Sequence, residues 1–247
     1  MIQEETLDEI LGGRLKIRQS KTGYRFNLDS LILAHFVTCR PQSVNLDLGC
    51  GNGILALVLA ARFVQSRWRG LELQAGLGAL ARKNVEENGL AARVTIDIGD
   101  ARNIQKIYAP HTFDAVVFNP PYRKIHSGRI NPLPEKAIAR HEVSGSLAGF
   151  LAAAVYALKP KGRVFAVYPA TRLAELMRWF DKKGIEPKRL KPVFSDDTTD
   201  AEFVLVEGRQ GAREELKMEP PLYVYDAPKK YSPSMERIFA DLASPAG

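Results

Sequence analysis

Three glycines, at positions 49, 51 and 53, fall in the run DLGCGNG (Asp47–Gly53), between the apolar run Val44–Leu48 and a stretch with apolar residues at helical spacing. Glycines at a strand-to-helix turn let a ligand approach the backbone N–H groups of a helix N-terminus closely. The pattern is G-x-G-x-G, which departs from the dinucleotide pattern G-x-G-x-x-G, and no lysine stands where a triphosphate-binding loop needs one. Carboxylates follow in order. Glu72 ends the next apolar run, where an acid can accept hydrogen bonds from ribose hydroxyls. Asp100 follows the third apolar run and is suited to an adenine amine, and Asp47 to a cationic amino group. Amine, ribose diol and adenine together describe S-adenosylmethionine better than a pyrophosphate, which wants no acid beside it. Cys50 and Asn52 complete the loop, Cys50 as a small residue that fits. The glycines alone equally suit an ordinary turn, and Asp100 alone a helix cap; the ordered set carries the specificity.

A second constellation is Asn119-Pro120-Pro121-Tyr122. Two successive prolines fix the backbone and remove two amide donors, which leaves carbonyls as acceptors. With the Asn119 side-chain oxygen, these acceptors suit a planar –NH2 group: holding its hydrogens draws the nitrogen lone pair out of conjugation and toward an electrophile. Tyr122 offers a flat ring for stacking, worth about 1–3 kcal/mol for a base. A sulfonium methyl is already a good electrophile, so in-line displacement depends mainly on positioning and needs no nucleophilic side chain and no metal. His35, His111, His126 and His141 show no metal-ligand spacing. His141 with Glu142 reads as a structural pair rather than acid–base machinery.

The elements that must position these residues alternate. Val44–Leu48, Trp68–Leu73, Val94–Ile98, Asp114–Phe118 and Arg163–Tyr168 read as strands, with helices at 54–61, 77–85, Leu147–Leu158 and Thr171–Lys183 between them. Asn88-Gly89 is a helix stop and Lys161-Gly162 a turn. Such alternation predicts a parallel sheet with helices on both faces. Leu190–Phe194 and Glu202–Glu207 are joined by too few residues for a parallel crossover, which needs about a dozen, so they form an antiparallel hairpin and the sheet ends on a reversed strand. Residues 1–43 read as a separate substrate-facing element, with strands at Arg14–Arg18 and Tyr24–Phe26 and a helix from Asp29, capped by that residue, to about Thr38. Residues 44–210 form the main domain, and 211–247 an extension packed on it, with a strand at Leu222–Tyr225 and a helix near Ser234–Leu242.

The 247 residues carry 35 basic and 28 acidic side chains, for a formal charge of +7. The excess is clustered: Arg14, Lys16, Arg18, Lys21 and Arg25 with no intervening acid; Arg123, Lys124, Arg129, Lys136 and Arg140 around Glu135; Lys182, Lys183, Lys188, Arg189 and Lys191 around Glu186. Clustering of this kind suits a polyanionic partner, solvated surface charge being the alternative. The third cluster, beyond the fifth strand's helix, reads as solvated charge. Two cysteines exclude a disulfide framework. The acidic N-terminus lacks an apolar leader, and no run approaches the roughly 18 apolar residues of a membrane span, so a soluble cytoplasmic protein is expected.

The ordered set Asp47, Gly49, Gly51, Gly53, Glu72 and Asp100 resembles the class I S-adenosylmethionine-dependent methyltransferases over roughly Val44 to Gly208. The resemblance implies their Rossmann-like seven-stranded α/β sheet, mostly parallel with the last strand antiparallel. NPPY resembles the motif of enzymes that methylate amino groups conjugated to a ring or carbonyl: adenine N6 in nucleic acid, or glutamine amides of release factors, with guanine-N2 enzymes of ribosomal RNA carrying a related motif. The basic rim (Arg14, Lys16, Lys21, Arg123, Lys124, Arg129) and the absence of a large duplex-reading insertion favour adenine in structured RNA. LGGRLKIRQSKTGYRFNLDSLILAHF at 11–36 and ARHE at 139–142 are similar to the small bacterial family that methylates the adenine beside the anticodon of a valine tRNA. That resemblance implies a tRNA partner and places Arg25 and Asp29 where related enzymes close over the methionine end of the cofactor. An RNA-binding protein with a vestigial cofactor site is the non-enzyme alternative, and a nicotinamide dehydrogenase would leave NPPY unexplained.

Overall fold

The computed structural model describes residues 5–21, 27–120 and 147–245. Several expectations fall outside them: the strand at Tyr24–Phe26, the residues Arg25, Pro121, Tyr122, Arg123, Lys124, Arg129, His126, His141 and Glu142, and the second basic cluster.

The centre is a parallel sheet: β3 (Val44–Leu48) lies between β4 (Arg67–Glu72) and β6 (Phe113–Phe118), β5 (Val94–Ile98) lies outside β4, and β7 (Leu158–Pro169) outside β6. Helices cover both faces, so β3 and β6 are buried almost throughout: β6 is apolar except for Asp114, while β3 takes two polar side chains, Asn45 and Asp47, into the interior. One layer holds α1 (Leu28–Phe36), α2 (Ile54–Arg62) and α3 (Ala75–Glu87); the opposite core is filled from α4 (Leu147–Ala157) and α5 (Leu173–Lys182). Strand order turns back at β3, with β4 and β5 on one side and β6 and β7 on the other. Ligands of open α/β sheets lie at such a switch point, beyond the carboxyl ends of the strands. Gly49, Glu72, Asp100 and Asn119 each follow or end one of those strands.

β8 (Ile185–Phe194) and β9 (Ala201–Gln210) form the expected antiparallel hairpin, and β9 inserts between β8 and β7, antiparallel to both. The sheet has nine strands rather than seven, because β10 (Lys217–Met218) and β11 (Leu222–Tyr223) add short parallel pairs to the β8 edge. The turn expected at Lys161-Gly162 lies inside β7, with Lys161 at a left-handed φ of 62°. β12 (Tyr225–Ala227) and β13 (Lys230–Tyr231) make a small ribbon before α6 (Pro233–Leu242), whose first turn Ser232 caps by accepting from the Met235 N–H at 3.2 Å. No helix among the described residues is long and apolar enough to cross a membrane.

The N-terminal residues form an antiparallel hairpin of β1 (Glu5–Ile10) and β2 (Leu15–Ser20) around the tight turn at Leu11–Gly13. β2 buries Leu15 and Ile17 in the same core as α2 and α3. Its backbone is read by two asparagines one turn apart, Asn84 on α3 and Asn88 at its C-cap. The Arg18 N–H donates to Asn84 Oδ1 at 2.7 Å, and Asn84 Nδ2 returns a bond to the Arg18 carbonyl at 3.1 Å. Asn88 repeats the exchange with Lys16 at 2.8 and 2.7 Å. Asn84 Nδ2 also reaches the carbonyl of Asn52 at 3.0 Å, so the hairpin is tied to the glycine loop. Asn84→Ala leaves these buried groups unpaired and is expected to cost about 2–4 kcal/mol of stability. Thermal or denaturant unfolding measures it; an unchanged midpoint would contradict this account of the hairpin's docking.

Arg14 corrects one sequence expectation. Its guanidinium donates to the carbonyls of Leu242 at 3.0 Å and Ala61 at 2.5 Å, joining the hairpin turn to α6 and α2. A side chain so committed is structural and leaves the RNA-facing set. Lys16 and Lys21 remain exposed, Lys16 within 3.9 Å of Glu9. In the third basic cluster, Arg189 departs from the expected solvated charge: it pairs with Glu207 and Glu219, each at 2.8 Å, and lies over the Phe36 ring.

Candidate active site

The glycine loop leaves β3 under tight constraint. Gly49, Gly51 and Gly53 have φ of 78°, 57° and 84°, in the left-handed region that only glycine enters freely. The Gly49 and Cys50 N–H groups both donate to the Leu71 carbonyl, at 2.8 and 3.1 Å, pinning the loop to the end of β4. A Cβ on Gly49 would lie 3.3 Å from the Phe150 ring, and one on Gly53 3.2 Å from Ala81 Cβ. Gly53 begins α2 directly. Cys50 is buried with its thiol against Gly70, where a Cβ would lie 2.7 Å from Sγ, so it acts as a space-filling residue.

A cleft opens beside the loop, lined by Gly49, Leu71, Glu72, Leu73, Gly99, Asp100, Ala101, Arg102, Gly149 and Phe150. Three sequence-predicted residues, Gly49, Glu72 and Asp100, thus share one wall. Glu72 is buried, and both its oxygens are held: Oε2 accepts from the Gly51 N–H and Oε1 from the Gln74 N–H, each at 2.9 Å. Burial pushes its carboxyl above the ordinary carboxylate range. Asp100 accepts from the Arg102 N–H at 2.9 Å as the cap of a 3-10 turn, Ala101–Lys106, and its carboxylate also takes the Arg102 guanidinium at 2.6 Å. That guanidinium holds the Asp100 carboxyl below its usual range. An adenine amine would therefore share Asp100 with Arg102, a residue the sequence reading did not single out.

Asp47 is displaced from the expectation of a residue facing the ligand. It is buried behind the loop, outside the cleft lining, and its Oδ2 accepts from the Ala56 N–H at 3.1 Å in the first turn of α2. Burial, with the like charge of Glu72 adding to it, pushes its carboxyl up to about 7. A folded-state value above the unfolded one, about 3.9, contributes stability that is complete below the unfolded value and is lost as pH rises through about 7. Asp47→Asn is expected to shrink the decline in melting temperature of the ligand-free protein between pH 5 and pH 8. An equal decline in both proteins would exclude Asp47 as the titrating group.

Asn52, within the loop, is fully buried, and neither polar atom of its side chain has a partner among the described residues. It too lies outside the cleft lining.

Asn119 follows β6 half-buried, with Pro120 buried behind it. Two residues of α1 meet its side chain: Asn119 Nδ2 donates to Ser30 Oγ at 3.1 Å, and Asp29 is hydrogen-bonded to the same side chain. Asp29 therefore does not cap α1, whose N-cap is Asn27; it sits in the first turn, buried against Asn119. Sequence reasoning missed Ser30, and the neighbouring Asp29 was its only signal. Far from the site, α1 is anchored by Arg62, whose guanidinium donates to the carbonyls of Ala34, His35 and Val37 at 2.7, 2.7 and 3.0 Å.

The cleft's chemistry fits a nucleoside-bearing methyl donor: a hydroxyl-accepting acid, a second acid at the next strand end, apolar walls from Leu71, Leu73 and Phe150, and a backbone brought close by glycine. Among the described residues, no cluster of three metal-ligating side chains occurs.

The chain is similar to known proteins in family and in fold. The family model described as "Methyltransferase small domain" matches residues 25–175. A Porphyromonas gingivalis protein named tRNA1(Val) (adenine(37)-N6)-methyltransferase is 28% identical over 91% of this chain and 91% of its own. A Dyadobacter fermentans protein of the same name is 25% identical over 85% of this chain and 86% of its own. Among solved structures, an Agrobacterium tumefaciens protein described as a predicted O-methyltransferase superposes with a TM-score of 0.71 at 18% identity, covering 88% of this chain and 98% of that one. The last likeness speaks to the fold alone.

Proposed function

The chain belongs to the methyltransferase small domain family, and on that premise we propose that it methylates N6 of an adenine in tRNA, the base beside the anticodon of a valine tRNA. S-adenosylmethionine supplies the methyl group on an electrophilic sulfonium. Glu72 accepts the ribose hydroxyls, Asp100 with Arg102 borders the adenine, Asp47 supports the loop from behind, and the loop glycines let the donor lie against the backbone. Asn119 Oδ1 and the Pro120 carbonyl accept the hydrogens of the target amine, and Tyr122 stacks on its base. Drawing the nitrogen lone pair out of the ring's conjugation turns it toward the methyl group, and the lost proton leaves to solvent. Catalysis is then chiefly positioning.

The observation that carries this reading is the placement of Asn119 at the end of β6, on the sheet edge where Gly49, Glu72 and Asp100 form the cleft. The names of the relatives support adenine and tRNA over other conjugated amines. Exposed Lys16 and Lys21 and the basic residues Arg123, Lys124 and Arg129 are proposed to meet RNA phosphates, which makes binding weaken as salt rises. Residues 1–43 act as the substrate-facing element, 44–210 as the methyltransferase domain and 211–247 as its packed extension, in a cytoplasmic protein. The test is nucleoside mass spectrometry of tRNA from a strain lacking the gene. Loss of N6-methyladenosine from one tRNA is expected; an unchanged RNA profile with loss of methylation on a release-factor glutamine would overturn the reading.

A further inference from the structure

We propose that Asp29 and Ser30, in the first turn of α1, lock the Asn119 side-chain amide in one of its two flip states, so that Oδ1 is turned away from α1 and toward the amine. This rests on the reading of Asn119 as the amine's acceptor and adds what orients it. A side-chain amide is nearly symmetric in shape, and a half-turn exchanges its acceptor for its donor. An acceptor site for an –NH2 group works in only one of the two orientations. Burial raises the Asp29 carboxyl, while the bonds from the Asn119 side chain and the Ser30 N–H favour its ionised form; in that form it has lone pairs and no hydrogen to give, so Asp29 decides which. The end of the amide hydrogen-bonded to Asp29 must therefore be the –NH2 end, and the same nitrogen donates to Ser30 Oγ at 3.1 Å. Flipping would lose the Asp29 bond and set the amide oxygen against a carboxylate; the Ser30 hydroxyl, which can donate as well as accept, anchors the amide while Asp29 sets its sense.

The lock is itself held. Asp29 Oδ1 accepts from the Ser30 N–H at 2.8 Å, and Asp29 and Ser30 are only 6% and 2% exposed, so solvent neither competes for these bonds nor screens them strongly. Arg62 clamps the opposite end of α1 to α2, fixing the helix relative to the glycine loop that begins α2. An N-terminal helix thus controls a side chain that lies 89 residues later in the chain. Asp29 and Ser30 are positioning residues, acting through Asn119.

The test compares Asp29→Asn, Ser30→Ala, Ser30→Thr and Asn119→Ala in steady-state methyl transfer to tRNA, with donor affinity measured by calorimetry. Asp29→Asn keeps the shape and removes the acceptor-only character, so kcat is expected to fall at least about tenfold. Ser30→Ala is expected to lower kcat about three- to tenfold, and Ser30→Thr, which keeps the hydroxyl, to restore most of it. KM for tRNA and donor affinity should stay within about twofold, and Ser30→Ala should add nothing on the Asn119→Ala background. The proposal is overturned if Asn119→Ala is inactive while Asp29→Asn and Ser30→Ala retain wild-type kcat, or if their losses appear in KM or donor affinity instead. A fully active Asn119→Ala would instead overturn the amine-holding reading, and the lock with it. Ser30→Thr guards against misfolding, since a properly folded but inactive Ser30→Ala beside an active Ser30→Thr isolates the hydroxyl.

Discussion

Asn119→Ala is expected to lower kcat by about 10²–10³-fold while leaving affinity for S-adenosylmethionine nearly unchanged. Removing one preorganised hydrogen-bonding group aimed at charge that develops in a transition state costs on this scale. The split between kcat and donor binding follows from position: Asn119 lies at the end of β6 and is absent from the cleft lining, which is built from the ends of β3, β4 and β5 and from α4. Asn119→Asp is expected to be no rescue, although it keeps an acceptor. The new carboxylate would face Asp29, and two carboxylates in contact at a buried site repel unless one takes up a proton. Single-turnover methyl transfer at saturating donor reads the effect directly. A variant within threefold of wild type would remove Asn119 from the chemistry.

Glu72→Gln is expected to weaken donor binding by about 10–100-fold with little change in fold. The substitution looks conservative, yet both carboxylate oxygens accept from backbone N–H groups, Gly51 on one side and Gln74 on the other. Glutamine has one acceptor oxygen and one –NH2, so one of those donors must face another donor. A charge-assisted hydrogen bond contributes about 1.5–3 kcal/mol, and an unpaired buried N–H adds its own cost. Because Gly51 lies in the glycine loop, the loss falls on the loop's shape as well as on the acceptor offered to the ribose. Calorimetry with S-adenosylmethionine measures it, and an affinity within threefold of wild type would contradict Glu72's double role.

The strands that build the cleft could be read from the chain because each is a short stretch with apolar residues at strand spacing, closed by glycine or acid: VNLDL before Gly49, RWRGLE ending on Glu72, VTIDI before Gly99. The reversed β9 followed from the few residues between Phe194 and Ala201. β8 was harder to delimit. Its first half carries Glu186, Pro187 and two basic residues, Lys188 and Arg189, and it reads as a charge cluster until β9 is seen beside it, with only two short strands on its outer edge. Prolines are tolerated there because an outer strand need not donate along its full length. β1, with the sequence ETLDEI, is half-exposed along its length and carries no apolar face long enough to announce itself.

The site was legible where local motifs carry it and opaque where distant segments meet. Gly49, Glu72 and Asp100 announced themselves by type and order. The pairing of Asp100 with Arg102 was within reach, since an arginine two residues after a capping acid can turn back on it. The bonds from Asn84 to β2 and from Asn119 to α1 were not. Each joins residues far apart in sequence, and an asparagine in a helix or after a strand gives no local sign of what it will hold. Arg14 shows the converse failure: a cluster of like charges suggests a surface partner, while geometry assigns one member to buried carbonyls.

The central claim is tested most directly by incubating the purified protein with methyl-labelled S-adenosylmethionine and an unmodified valine tRNA transcript, then digesting the RNA and analysing its nucleosides. The account predicts label in N6-methyladenosine at the position beside the anticodon, abolished by Asn119→Ala. Label appearing only in a release-factor glutamine offered in parallel, or in guanosine rather than adenosine, would contradict it.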